Sequence, residues 1–237
     1  MPRFFVDTPL AAPGDITLPP GAARHVQVLR LQPGDALTLF DGSGPEWQAE
    51  VTAMGRSEVG VRLIAAMQPQ RELARAVTLA VVMPANDRMD FIVEKATELG
   101  ATALQPLVSE RSVLRLSGER ADKKRAHWQG VAIAAAEQSG RTVPTRIEPV
   151  LSLTAWLAAL PQRDDDEWRG LLSPRAATPL AAFPQQRALF LSGPEGGLSE
   201  AEEDAARAHG FAAITLGPRI LRADTAPLAV LSWLALS

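Results

Sequence analysis

The spacing of apolar residues changes character near residue 70. Up to residue 67 the chain runs in short alternating stretches. Residues 3–6 (RFFV) read as a strand, and residues 21–31 (GAARHVQVLRL) put Val26, Leu29 and Ala22 on one helical face. Leu37 and Leu39 alternate with polar neighbours, DGSG turns the chain, and Trp47, Ala49 and Val51 alternate again, so residues 36–54 predict a hairpin. Residues 58–67 (EVGVRLIAAM) predict a further strand. The expectation is a small β-rich domain over residues 1–67 with one helix. A polar linker, QPQREL, follows at residues 68–73.

Beyond the linker, residues 76–83 (AVTLAVVM) are continuously apolar, as in a strand covered on both faces. Residues 86–100 carry Met89, Ile92, Val93, Ala96 and Leu99 on one helical face, with Asn86 or Asp87 as cap and Gly100 as stop. A strand at 103–108 and a long helix at 121–140 follow. Strands at 169–173, 187–192 and 212–216 then alternate with helices near 152–160, 199–209 and 225–236. This alternation implies an α/β domain with a mostly parallel sheet over residues 74–237. RDDDE at 163–167 reads as a solvated loop.

Composition narrows the class. With 237 residues, 46% hydrophobic and 22% charged, the chain suits one large or two modest globular domains. There is no cysteine, which excludes disulfides, thiolate metal sites and a cysteine nucleophile, and is compatible with a cytoplasmic setting. The apolar runs are too short to span a bilayer, and the N-terminus lacks a secretory core, so no membrane partner is expected. Net charge is −3, so any contact with nucleic acid must come from local patches. The three histidines, at 25, 127 and 209, lack ligand spacing, and no metal is expected.

Residues 191–203, LSGPEGGLSEAEE, look at first like a phosphate loop. There is no G-x-x-x-x-G-K-[ST], and the spacing is not that of a dinucleotide fingerprint. Ser199 and Glu202 form an S-x-x-E capping box that occupies the helix's first N–H groups, and Glu200, Glu202 and Glu203 add negative charge there. The loop therefore suits a ligand that is neutral or cationic where it meets protein. Gly196-Gly197 permits positive φ and close approach of peptide groups. S-adenosylmethionine fits this description; a tight turn with glycines for geometry alone is the competing reading. A second loop, 216–231 (LGPRILRADTAPLAVL), also follows a strand. It turns at Gly217-Pro218, offers Ile220 and Leu221 as apolar walls, and crowds Arg219, Arg222 and Asp224 together. Its plain reading has Asp224 or Thr225 capping the last helix and the arginines solvated.

LFLSGPEGGLSEAE followed by LGPRILRADTA resembles the C-terminal signature of the RsmE family, SPOUT-class methyltransferases acting on N3 of a uridine in 16S ribosomal RNA. RFFV, HVQVLRLQPGDALTLFDGSG, DRMDFIVEKATELG, PLVSERS and AEQSGR look like family blocks in the family's order, covering nearly the whole chain. One departure matters. Where the family carries Glu in an Arg-Thr-Glu-Thr stretch, this chain has Ala223-Asp224-Thr225, one methylene shorter.

The resemblance implies a PUA-like RNA-binding β-barrel, then a SPOUT-type mostly parallel sheet tied in a deep trefoil knot. It implies a homodimer, S-adenosylmethionine as cofactor, and a substrate within the small ribosomal subunit. The knot would bring the loops at 193–197 and 216–222 together around the cofactor. Expected contacts are Ser192, Gly193, Glu195, Gly196 and Gly197 from the first loop, and Leu216, Gly217, Ile220 and Leu221 from the second. Residues 171–176 (LLSPRA), with Leu172, resemble a third cofactor loop.

For such chemistry the uracil N3 proton must leave and the resulting anion must be stabilised. Arg222 is the candidate cation, and Asp224 and Glu195 are the candidate proton acceptors. RNA contacts are expected from Arg3, Arg24, His25 and Arg30 in the small domain. Residues 111–130 carry six Lys/Arg, among them Arg111, Lys123 and Lys124, against two acids, and Arg141 lies beyond. The alternatives are another SPOUT activity, such as ribose 2′-O methylation, and a non-catalytic RNA-binding assembly protein.

Overall fold

The computed structural model describes residues 1–85, 88–175 and 177–236. The proposed caps Asn86 and Asp87, and Ala176 of the third loop, lie outside the described residues. Two compact units form: residues 1–72 with 136–144, and residues 73–135 with 145–237.

The first unit contains β1 (Arg3–Phe5), β2 (Gly14–Thr17), α1 (Pro20–Val28), β3 (Ala36–Phe40), β4 (Glu46–Met54) and β5 (Val59–Met67). The sheet order is β1-β3-β4-β5-β2, with only β1 and β3 parallel. The pairing path runs from β1 at one edge to β2 at the other, so hydrogen bonds do not close the expected barrel into a ring. Alternation turns Leu37, Leu39, Trp47, Ala49 and Val51 inward, against Ala22, Ala23 and Val26 of α1. Leu29, expected on the apolar face of that helix, is 56% exposed because α1 ends at Val28 and the chain turns away.

A buried charge cluster ties this unit together. The Glu46 carboxylate is 3% exposed and pairs with the Arg3 and Arg71 guanidiniums. The same two arginines donate to the Gly140 carbonyl, at 3.0 and 2.7 Å. Burial alone would raise the Glu46 carboxyl; the hydrogen bonds and charges of Arg3 and Arg71 outweigh it and hold the group below the ordinary glutamate value. Phe5 N–H donates to Glu137 at 2.9 Å, and Arg141 pairs with Glu72.

The second unit contains β6 (Ala76–Val82), α2 (Arg88–Glu98), β7 (Ala103–Val108), α3 (Gly118–Ser139, whose last residues group with the first unit), β8 (Arg146–Ile147), β9 (Leu151–Ser152), α4 (Leu153–Ala159), β10 (Glu167–Leu172), β11 (Thr178–Pro179), β12 (Arg187–Ser192), α5 (Glu200–Ala208), β13 (Ala212–Thr215) and α6 (Thr225–Leu236). The order is β11-β13-β10-β12-β6-β7-β8, with β9 also on β7, and every pairing is parallel. The central strands are covered on both faces. Val77, Leu79 and Val81 of β6 pack with residues of α2, α3 and α6, while Ala80 and Val82 pack with those of α4 and α5. Among the described residues no helix is long and apolar enough to cross a membrane. RDDDE is an exposed loop up to Asp166, whose Asp164 and Asp166 pair with Arg187, and Glu167 already belongs to β10.

Candidate active site

In a parallel sheet the loops after the strands gather at one edge, where ligands bind. Here the loops after β6, β7, β10, β12 and β13 carry the candidate chemistry. The turn after β12 closes with Gly197 N–H donating to the Pro194 carbonyl at 2.8 Å. Gly197 takes φ 67°, a conformation a side chain disfavours, whereas Gly196 does not use the positive φ open to it.

Two adjoining cavities open there. One, of about 510 Å³, is walled by Arg88, Leu172, residues 192–198, Glu203 and residues 220–223. The other, of about 340 Å³, is walled by residues 172–174, 214–221 and Ala226. They share Leu172, Pro174, Ile220, Leu221 and Ala226. Every residue expected to touch the cofactor lines one or both: Ser192, Gly193, Glu195, Gly196 and Gly197 the first, Leu216 and Gly217 the second, and Leu172, Ile220 and Leu221 both. A further cavity of about 560 Å³ lies between the loop after β7, α4 and α5, and includes the capped starts of both helices.

The glutamates of α5 do more than repel anions. Ser199 accepts from Glu202 N–H while Glu202 accepts from Ser199 N–H, the reciprocal capping box. The other Glu202 oxygen accepts from Glu110 N–H at 2.8 Å, fastening the loop after β7. Buried Glu203 accepts from the Ser173 hydroxyl at 3.1 Å and pairs with Arg207, bracing the loop after β10. Arg111 donates to the carbonyls of Gly196 and Leu198, at 2.9 and 3.4 Å. Three neighbouring loops are thus tied to one helix start.

Arg222 is exposed, lines the first cavity, and its guanidinium has no partner among the described residues. Glu195 also lines it, accepting from Ala85 N–H at 3.1 and 3.4 Å. Asp224 does not line it: its carboxylate accepts from Arg88 at 3.2 Å, and Arg88 does line the cavity. The shorter aspartate side chain still reaches this guanidinium. Arg88 was missed in sequence because its partner lies 136 residues away.

The RNA candidates divide. Arg3 and Arg141 are not presented to solvent: Arg3 is held by Glu46 and two carbonyls, and Arg141 is 3% exposed against Glu72. Arg111 is turned onto the glycine loop. Lys123 pairs with Glu119 one helical turn away, at 2.7 Å. Arg24, His25 and Arg30 are exposed, which excludes a buried role for His25.

The RNA methyltransferase domain family matches residues 71–235, and the RNA methyltransferase PUA domain family matches residues 18–64. Ribosomal RNA small subunit methyltransferase E of Bacillus subtilis is 34% identical over 215 residues, covering 87% of this chain and 84% of that protein. The Synechocystis protein of the same name is 35% identical over 225 residues, covering 92% and 71%. The crystal structure of ribosomal RNA small subunit methyltransferase E from Neisseria gonorrhoeae bound to S-adenosyl methionine aligns with a TM-score of 0.91 and 38% identity, over 98% of this chain and 96% of that one. With the domain family matched over residues 71–235 and relatives of this name 34–38% identical over most of both chains, the chain belongs to the RNA methyltransferase family of ribosomal RNA small subunit methyltransferase E.

Proposed function

We propose that this protein uses S-adenosylmethionine to methylate N3 of a uridine in the 16S RNA of the small ribosomal subunit. The carrying observation is the convergence of the turns after β12 and β13 on adjoining cavities walled by peptide groups, apolar side chains, four arginines (Arg88, Arg175, Arg219 and Arg222) and two glutamates (Glu195 and Glu203). The Neisseria relative binds that cofactor, and the curated relatives carry the ribosomal RNA activity in their names.

The donor set fits the cofactor. Peptide groups of residues 193–197 and 216–217 offer hydrogen bonds to an adenosine, and Leu172, Pro174, Ile220 and Leu221 offer walls for a flat ring. The capping box leaves the start of α5 no role for a phosphate. The cavity volumes lie within the roughly 300–1,000 Å³ of small-molecule sites. When bound, S-adenosylmethionine supplies a methyl group already activated on a sulfonium.

The chain's own residues handle the uracil. Removal of the N3 proton leaves negative charge shared by O2 and O4. Arg222 stabilises that charge, and Arg88 presents a second guanidinium to the same cavity. Glu195 is the proton acceptor, aimed by the Ala85 N–H. Asp224 is a positioning residue that holds Arg88.

The trefoil knot, the homodimer and a cytoplasmic setting belong to the same reading. A knot accounts for two turns distant in sequence meeting at one place. A dimer accounts for α6, which is apolar around its circumference with Leu228 and Trp233 only half-buried, beside α2 with Phe91 half exposed. Light scattering should then report twice the 25.3 kDa chain mass. Mass-spectrometric mapping of small-subunit ribosomal RNA, with and without the protein, tests the activity. One N3-methyluridine should disappear without it, and an unchanged map overturns the proposal.

A further inference from the structure

The helix α1 ends in a Schellman turn. Arg30 N–H donates to the Gln27 carbonyl at 3.0 Å, and Leu31 N–H donates to the Val26 carbonyl at 3.3 Å. The residue between the helix and Leu31 must take a left-handed conformation, the position that glycine usually fills. Here it is Arg30, at φ 58°, the one non-glycine residue with positive φ among the described residues. A residue with a β-carbon is disfavoured there, and such outliers gather where they serve a function.

The surroundings point to what the guanidinium does. Gln27 donates to the carbonyls of Gly55 and Arg56, at 3.0 and 3.2 Å, which fixes the β4–β5 turn beside the end of α1. Arg24, Arg30 and Arg56 are all exposed, and among the described residues none of their side chains has a hydrogen-bond or ion-pair partner. Glu58, the acid in that turn, pairs with none of them. Two apolar residues, Val28 and Leu29, stand 72% and 56% exposed between the arginines. Elsewhere in the chain exposed arginines are mostly held: Arg62 by Asp15, Arg187 by Asp164.

We infer that this corner of the first unit is its docking surface for the RNA backbone, with Arg24, Arg30 and Arg56 on phosphates and Val28 and Leu29 against ribose. The inference rests on the ribosomal RNA reading above and adds which face of the unit meets the substrate. Unpartnered guanidiniums carry the charge complementarity, which the repeating phosphates of an RNA backbone meet; an acidic partner protein is the competing occupant. Phosphate contacts position a protein on RNA and make its affinity salt-dependent.

The test is a salt titration of full-length protein binding to small-subunit ribosomal RNA. Arg30→Gly relieves the backbone, so its melting temperature should hold or rise while RNA affinity falls. The slope of log affinity against log salt should become shallower by about 0.7–0.9 per arginine removed, and by two to three such increments in the R24A/R30G/R56A variant. Arg30→Lys keeps the charge and should retain the slope. Arg62→Ala, removing a paired arginine, should leave it unchanged. S-adenosylmethionine affinity by calorimetry should be unaltered in all of them. A wild-type slope in the triple variant overturns the inference alone. Loss of binding to intact small subunits with naked RNA bound as before overturns it in favour of a protein contact. A wild-type protein that neither binds nor methylates the RNA overturns both this inference and the methyltransferase reading.

Discussion

Basic residues are dense in two stretches, 111–125 in the second unit and the end of α1 in the first, and their side chains are used differently. In the first stretch Arg111 holds the carbonyls of the glycine turn, Arg115 the Glu110 carbonyl and Arg125 the Ile147 carbonyl, while Lys123 pairs with Glu119. At the end of α1, Arg24 and Arg30 face solvent without acceptors among the described residues. A guanidinium carries five donors, and a fold that places carbonyls or carboxylates within its reach will engage it. Charge density along a chain therefore says little about availability. The loop after β13 behaves like the end of α1: Arg219 and Arg222 have no partner among the described residues, and there the available charge lies at the cavity wall.

The sharpest division between engaged and available arginines should come from Arg222→Ala. Methyl transfer should fall by about 10²–10³-fold or more, the loss seen when one preorganised donor to a developing anion is removed. Calorimetric cofactor affinity should change little. Normal turnover in that variant would take Arg222 out of the mechanism.

An engaged pair should instead report on folding. Glu46→Gln leaves the half-buried Arg3 and the exposed Arg71 short of their counter-charge and should cost about 1–3 kcal/mol in urea denaturation. The sign with pH follows from the lowered Glu46 value. Its stabilisation is fully present above the ordinary glutamate range and is lost as the pH falls through the folded-state value. The gap between wild type and Glu46→Gln should therefore narrow in acid, and a gap that widened in acid would contradict the assignment.

Arg111→Ala separates the two classes within one stretch. Cofactor affinity should weaken by roughly tenfold, the scale of one charge-assisted hydrogen bond lost from a site's support, with the salt slope of RNA binding unchanged. The opposite result, a shallower slope with intact cofactor affinity, would return Arg111 to the RNA surface. The smallest effect is expected from Lys123→Ala, whose exposed i,i+4 pair with Glu119 contributes about 0.3–0.5 kcal/mol at most. A slope change of a full unit there would break the comparison.

Much of the fold was legible because its signals are local. The continuous apolar run of β6 announces a strand with two covered faces, and Ser199 with Glu202 announces the start of α5, since both depend on residues within one or two turns. The strand β2 escaped notice: GDIT has one apolar residue, Ile16, and becomes a strand only by pairing with β5. The two-residue strands β8, β9 and β11 depend on their neighbours in the same way. In the site, the cavity-lining residues of the glycine turn and of the Gly217-Pro218 turn were legible in the sequence. The bracing by Glu203, Arg111 and Arg88 was not, because each reaches an acceptor or donor far along the chain.

By itself the sequence determined the alternation of strands and helices, the capped start of α5, the two turns rich in glycine and arginine, and the family. Those features are written in contacts between residues a few positions apart. The tertiary structure alone decided which charges are engaged. It put Asp224 behind Arg88, turned Arg111 onto a glycine loop, buried Arg141, and left Arg30 facing solvent in a left-handed turn. The reason is that a side-chain donor is satisfied by whatever acceptor folding brings within about 3 Å, and that distance has no fixed relation to separation along the chain.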